Sequence, residues 1–122
     1  MQDYRNLSVW KKSHLLSKAV YKVTADFPKS EVFSLTTQIR RACVSIPANI
    51  AEGCGRGGGT ELARFLQIAS GSAHELEYHL FLARELKYLK KEDHNEIDVQ
   101  VSEVKRMLSA LITKIKTKGK NK

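Results

Sequence analysis

Apolar residues recur along this chain at spacings of three and four, in four successive runs. That period belongs to helices with one buried stripe, and no run alternates with period two, so no strand is expected. The first helix is predicted from about Leu7 to Phe27. Val9, Leu16, Val20, Val23 and Phe27 share one face, and Leu7, Trp10, His14 and Tyr21 share another. Pro28 and the polar Lys29-Ser30-Glu31 end it. The second helix starts between Ser30 and Ser34 and runs to about Cys54. The third runs from Glu61 to about Leu89, with Leu62, Leu66, Ala69, Ala73, Leu76, Leu80 and Ala83 alternating spacings of four and three. Such a seam suits near-parallel packing, and its alanines, with Gly71 beside them, admit a close neighbour. The fourth runs from about Glu92 to Lys116 on Ile97, Val101, Val104, Leu108, Leu111 and Ile115. Short connections favour antiparallel neighbours, so the expected fold is an all-α, up-down-up-down four-helix bundle. It forms one domain over residues 1–117, with a basic tail at 118–122 that frays. No internal repeat is visible.

The second helix departs from this simple pattern. On a wheel of about 100° per residue, Leu35, Ile39, Ala42, Cys43, Ile46 and Ile50 form a core stripe. Val44, Pro47, Ala48 and Ala51 gather on the opposite side. A helix apolar on both sides wants two partners, and a small domain offers one core. These four residues are therefore candidates for a subunit interface. Pro47 removes an N–H donor and crowds the carbonyl of Cys43, which predicts a kink.

Length and composition fit one soluble domain: 122 residues, 42% hydrophobic, 28% charged. The formal charge is +8. Such an excess points to a polyanionic partner, RNA, DNA or an acidic protein. The bland alternative is a solubilising end, because Lys114, Lys116, Lys118, Lys120 and Lys122 crowd the last helix and suit its dipole. No signal sequence and no membrane-length apolar run appear, and Cys43 and Cys54 lie roughly 16 Å apart along one helix, beyond disulfide reach. Two unpaired thiols suit a reducing compartment, so a cytoplasmic location is expected.

Enzyme chemistry finds little support. Gly53, Gly55 and Gly58 have dinucleotide-motif spacing, but a helix precedes them where that motif needs a strand. An interhelical hinge is the better reading, with Thr60 as the N-cap of the third helix. A di-metal bundle site needs Glu-x-x-His pairs; none occurs, His74 and Glu77 have the reverse order, and Glu75 with His79 is an ordinary i,i+4 pair. His14 and His94 stand alone, and neither cysteine has the neighbours of a nucleophile. No cofactor, metal or catalytic residue is expected. The polyanion-binding candidates are Lys11, Lys12, Arg40, Arg41, Arg56 and Arg64. Arg40 and Arg41 flank the core stripe and have a rival role, pairing with acids such as Glu52 or Glu75 across a subunit boundary. Asn49 and Glu52 are expected to make structural hydrogen bonds or intersubunit contacts.

Three segments carry a family resemblance. They are Leu35-Thr36-Thr37-Gln38-Ile39-Arg40-Arg41-Ala42, then Val44-Ser45-Ile46-Pro47-Ala48-Asn49-Ile50-Ala51-Glu52-Gly53, and Gly55-Arg56. Tyr4-Arg5-Asn6-Leu7 with Val9-Trp10, and Phe65-Leu66 with Ala69-Ser70-Gly71-Ser72 and Glu75-Leu76-Glu77, extend it over most of the chain. The chain resembles the bacterial four-helix proteins encoded in intervening sequences of 23S rRNA genes and the accessory variability determinant of diversity-generating retroelements. Cys54 departs from the aromatic usual in that family. The resemblance implies a homopentameric barrel and, for the retroelement member, a scaffold for RNA and reverse transcriptase.

Overall fold

The computed structural model describes residues 3–120, with the side chain of Lys120 left aside. Among these, four α-helices and no strand occur: α1 (Ser8–Thr24), α2 (Leu35–Gly55), α3 (Gly59–Glu85) and α4 (Lys91–Lys120). Each helix packs against the next, and α4 closes on α1. Cross-helix partners run in opposite senses along neighbouring helices. Ser17 meets Cys43 and Thr24 meets Arg40; Phe81 meets His94 and Gly59 meets Ile115. The core is the one the wheel selected. Leu16, Val20, Ile39, Ile46, Ile50, Leu66, Leu76, Leu80, Val101 and Leu108 are essentially inaccessible. Leu62, Leu111 and Ile115, at the ends of their stripes, are half-buried.

The helix ends differ from expectation for identifiable reasons. Before α1, Tyr4–Asn6 forms a 3-10 turn whose start is capped by Asp3, its Oδ1 accepting Arg5 N–H at 3.0 Å. α1 ends at Thr24, three residues short of Phe27, whose ring turns into the core. α2 begins only at Leu35. Glu31 organises this start: its carboxylate accepts the Ser34 hydroxyl at 2.8 Å, the Leu35 N–H at 3.4 Å and the Tyr88 hydroxyl at 3.3 Å. The Ser34 hydroxyl, followed by the Leu35 N–H, holds the Glu31 carboxyl below its ordinary range. α3 stops at Glu85, four residues before the expected Leu89. Lys87 takes a left-handed φ of 66°, and the N–H groups of Tyr88 and Leu89 turn back to Ala83 O at 2.9 and 3.2 Å. No glycine marks this stop.

The glycine-rich segment is mostly helical. Gly53 and Gly55 close α2, Gly59 opens α3, and the break shrinks to Arg56–Gly58. Only Gly57, at φ 81°, has a backbone that demands glycine there. Gly58, extended, is the N-cap of α3; Thr60 lies inside the first turn and does not cap it. Gly53 has a different role. A Cβ there would lie 2.9 Å from Phe65 Cβ, so its bareness permits close approach of α2 and α3. Helical geometry in α4 continues through Lys120, past the expected fraying point at Lys118; residues 121–122 lie outside the described residues.

Pro47 lies inside α2 without interrupting it. Its missing N–H would have served the carbonyl of Cys43. The hydroxyl of Ser17, from α1, supplies the replacement at 3.0 Å, while also lying 3.1 Å from Ser13 O. Asn49 stays helical and donates to Ser45 O at 2.8 Å and Ser45 Oγ at 2.9 Å. Ser45 in turn meets Ser72 of α3 at 2.8 Å.

Candidate interaction surfaces

The second apolar face of α2 is only partly covered by the described residues. Val44 is 43% exposed. Ala48 is exposed, and Pro47 and Ala51 are half-buried. The core stripe on the other side is buried throughout. The wheel thus separated two faces that the fold keeps separate.

The six basic candidates do not converge on one site. Lys12 bridges to Glu103 of α4 at 3.3 Å. Arg56 pairs within α2 with Glu52 at 3.2 Å, and Arg64 pairs within α3 with Glu61 at 2.9 Å. Both guanidinium groups also lie over the Phe65 ring, 5.2 and 4.5 Å from its centroid. Arg40 is drawn inward, donating from Nε to Thr24 Oγ1 at 3.0 Å and stacking over Tyr21 at 4.7 Å. Lys11 and Arg41 are exposed and make no ion pair among the described residues. Tyr21, Thr37, Arg40, Arg41, Val44 and Ser45 surround a shallow hollow of about 460 Å³ beside the apolar face.

A larger cleft, about 890 Å³, opens between the start of α3 and the end of α4. Arg64, Gln67, Lys116 and Lys118 line it, with Thr60 and Ile115. Of these, only Arg64 was a candidate from the sequence. The available signal was the run from Val104 to the C-terminus, which contains no Asp or Glu.

Cys43 and Cys54 are buried free thiols. Burial pushes Cys43 up to about 11, against weaker opposing effects from Ser17 and Arg40, and burial also raises Cys54. Glu75 and His79 form their pair at 3.3 Å. His14 stacks on Trp10 at 5.0 Å. His94 is buried against the edge of Phe81, with neither ring nitrogen partnered. Among the described residues, no group of three or more His, Cys, Asp or Glu is arranged to hold a metal ion. No helix among them is long and apolar enough to cross a membrane.

A crystal structure of a protein of unknown function from the S23 ribosomal protein family, from Bacteroides thetaiotaomicron VPI-5482, is similar to this chain. It aligns with a TM-score of 0.77 and 28% identity, over 85% of this chain and 97% of the other. No curated protein matches the sequence. The family model for the 23S rRNA-intervening sequence protein matches residues 5–110, nearly the whole helical assembly. The chain therefore belongs to the 23S rRNA-intervening sequence protein family.

Proposed function

We propose that the protein is a non-enzymatic, basic, cytoplasmic scaffold: an up-down-up-down four-helix bundle that assembles with itself and binds RNA or a nucleoprotein partner. The observation that carries the reading is the exposed second face of α2. Val44 and Ala48 lie open, beside half-buried Pro47 and Ala51, on a helix whose other face is wholly in the core. A second copy of the chain is the natural cover for such a face. The family resemblance implies five copies. The formal charge of +8 supports a polyanionic partner, and the family's description ties its members to 23S rRNA genes. A reverse transcriptase bound to RNA is the partner implied by the retroelement resemblance.

Binding of a labelled structured RNA tests the reading. Affinity should fall steeply between low and moderate salt, because phosphate contacts release counterions. No binding at low salt, or an affinity indifferent to salt, refutes the RNA role. One observation favours a second reading, a purely structural or protein-binding oligomer. Lys12, Arg56 and Arg64 already pair with the chain's own acids. Capture of a single protein partner that survives nuclease would support that alternative.

A further inference from the structure

We infer that RNA docks at one end of the bundle, on the end of α4 beside the α2–α3 turn, and not along α2 at Arg40 and Arg41. The inference rests on the RNA reading above and adds where the phosphate backbone lies.

The charges are unevenly divided. From Lys91 to Asp98, α4 carries Glu92, Asp93, Glu96 and Asp98 against a single lysine. From Val104 onward it carries only lysine and arginine. In α3, Glu75, Glu77 and Glu85 with Arg84 lie toward the far end, and Glu61 with Arg64 near the start. Neighbouring helices run in opposite directions, so the acidic halves of α3 and α4 come together at one end. The acid-free half of α4 lies at the other end, with Gly59 packed on Ile115. At the acidic end, the lysines of α1 and the α3–α4 turn are nearly matched by acids. At the glycine-turn end, the acids are Asp3, Glu52, Glu61 and Glu103. Each of these already has its own partner in Arg5, Arg56, Arg64 or Lys12. Lys114, Lys116 and Lys118 remain exposed, with no ion pair among the described residues. The excess charge of the chain is therefore concentrated here.

The surface chemistry selects the occupant. Leu7, Val9, Met107 and Leu111 line a hollow of about 320 Å³ beside Lys114 but are themselves half-buried or buried, and none of the exposed large hydrophobic side chains falls within residues 53–60 or 104–118. A bilayer or an apolar protein groove would need such anchors. What the surface offers is flexible ammonium groups along about a turn of helix, beside a cleft lined by Arg64, Gln67 and Thr60. Ammonium, amide and hydroxyl donors are the groups that contact phosphate oxygens without reading bases. Arg40, by contrast, is committed to Thr24 and Tyr21.

The test uses a fluorescein-labelled RNA hairpin and the full chain, with anisotropy read across a salt series. The triple variant Lys114→Glu, Lys116→Glu, Lys118→Glu should lose about tenfold or more in affinity, and its salt slope should fall by about three, one per lost phosphate contact. A variant with the same charge change at the opposite end, Lys22→Glu, Lys87→Glu, Lys91→Glu, should lose less than about threefold. Circular dichroism and light scattering check that both retain helix and mass. Equal losses in the two variants would overturn the placement and leave the RNA reading standing. Loss confined to Arg41→Glu would do the same. A wild-type protein that ignores the hairpin at low salt would overturn both. Binding to phosphatidylserine vesicles as tight as to RNA, abolished by the first variant, would overturn the choice of nucleic acid.

Discussion

The bond from Ser17 to the Cys43 carbonyl makes the sharpest prediction, because it links two helices through a proline that belongs to only one. Ser17→Ala removes the hydroxyl that lies 3.0 Å from Cys43 O. Ser13 O keeps its ordinary helical N–H donor, so it loses little. Cys43 O loses its replacement donor in a buried position where Pro47 cannot supply one. An orphaned buried acceptor costs about 1–3 kcal/mol. Alanine recovers about 0.5 kcal/mol of helix propensity over serine. The net loss is then about 1–2 kcal/mol, or roughly 3–8 °C in melting temperature for a domain of this size. Pro47→Ala restores an N–H four residues after Cys43, and in that background Ser17→Ala should cost only a few tenths of a kcal/mol. The assay is urea unfolding followed by circular dichroism at fixed protein concentration, since self-association would shift apparent stability. The decisive quantity is the coupling, about 1 kcal/mol, which is independent of what Pro47→Ala does alone. Equal costs of Ser17→Ala in both backgrounds would refute the account.

Four further outcomes follow from other contacts. Gly53→Ala should destabilise by about 1–2 kcal/mol in the same assay, because overpacking against Phe65 and Leu62 exceeds the helix-propensity gain. Lys87→Gly should stabilise by about 0.5–1 kcal/mol, because its φ of 66° suits glycine; unchanged stability would show that the turn carries no strain. Ala48→Glu should lower the mass seen by light scattering while leaving helical content intact, since it places charge on the exposed face of α2. Cys43 should resist a thiol reagent at pH 8 unless the protein is unfolded. Its folded value of about 11 lies above the unfolded value near 8.5, so this contribution to stability is full below about pH 8.5 and is lost as pH rises toward 11.

The helix stripes were legible because burial imposes its period directly on the sequence. Ile39, Ile46 and Ile50 on α2, and Leu66, Leu76 and Leu80 on α3, are buried as their spacing required. Ends were less legible. The stop at Glu85 is made by Lys87 in a left-handed conformation, which lysine does not announce. The start at Leu35 depends on Glu31 and on Tyr88, two turns of chain that meet only after folding. The glycine run misled for the opposite reason. Glycine permits a break but does not require one, and Gly53 is kept by contact with Phe65 inside a helix.

The candidate site was legible in one dimension only. A wheel assigns a residue to a side of its helix, which is why Val44 and Ala48 could be placed off the core stripe. It does not say which end of the assembly that residue occupies, or which acids stand opposite. Arg56 and Arg64 look like free cations in the sequence, yet Glu52 and Glu61 sit one turn away and take them. Lys114, Lys116 and Lys118 look like a solubilising tail, yet helix reversal sets Lys116 and Lys118 beside the start of α3 and Lys114 beside the start of α1, far from the acids at the start of their own helix. A net charge of +8 is a sum over the whole chain. A phosphate backbone responds instead to local potential, which falls off over about 10 Å at moderate salt. Cations already paired on either side of Phe65 contribute little to that potential, and unpaired lysines at the end of α4 contribute most of it.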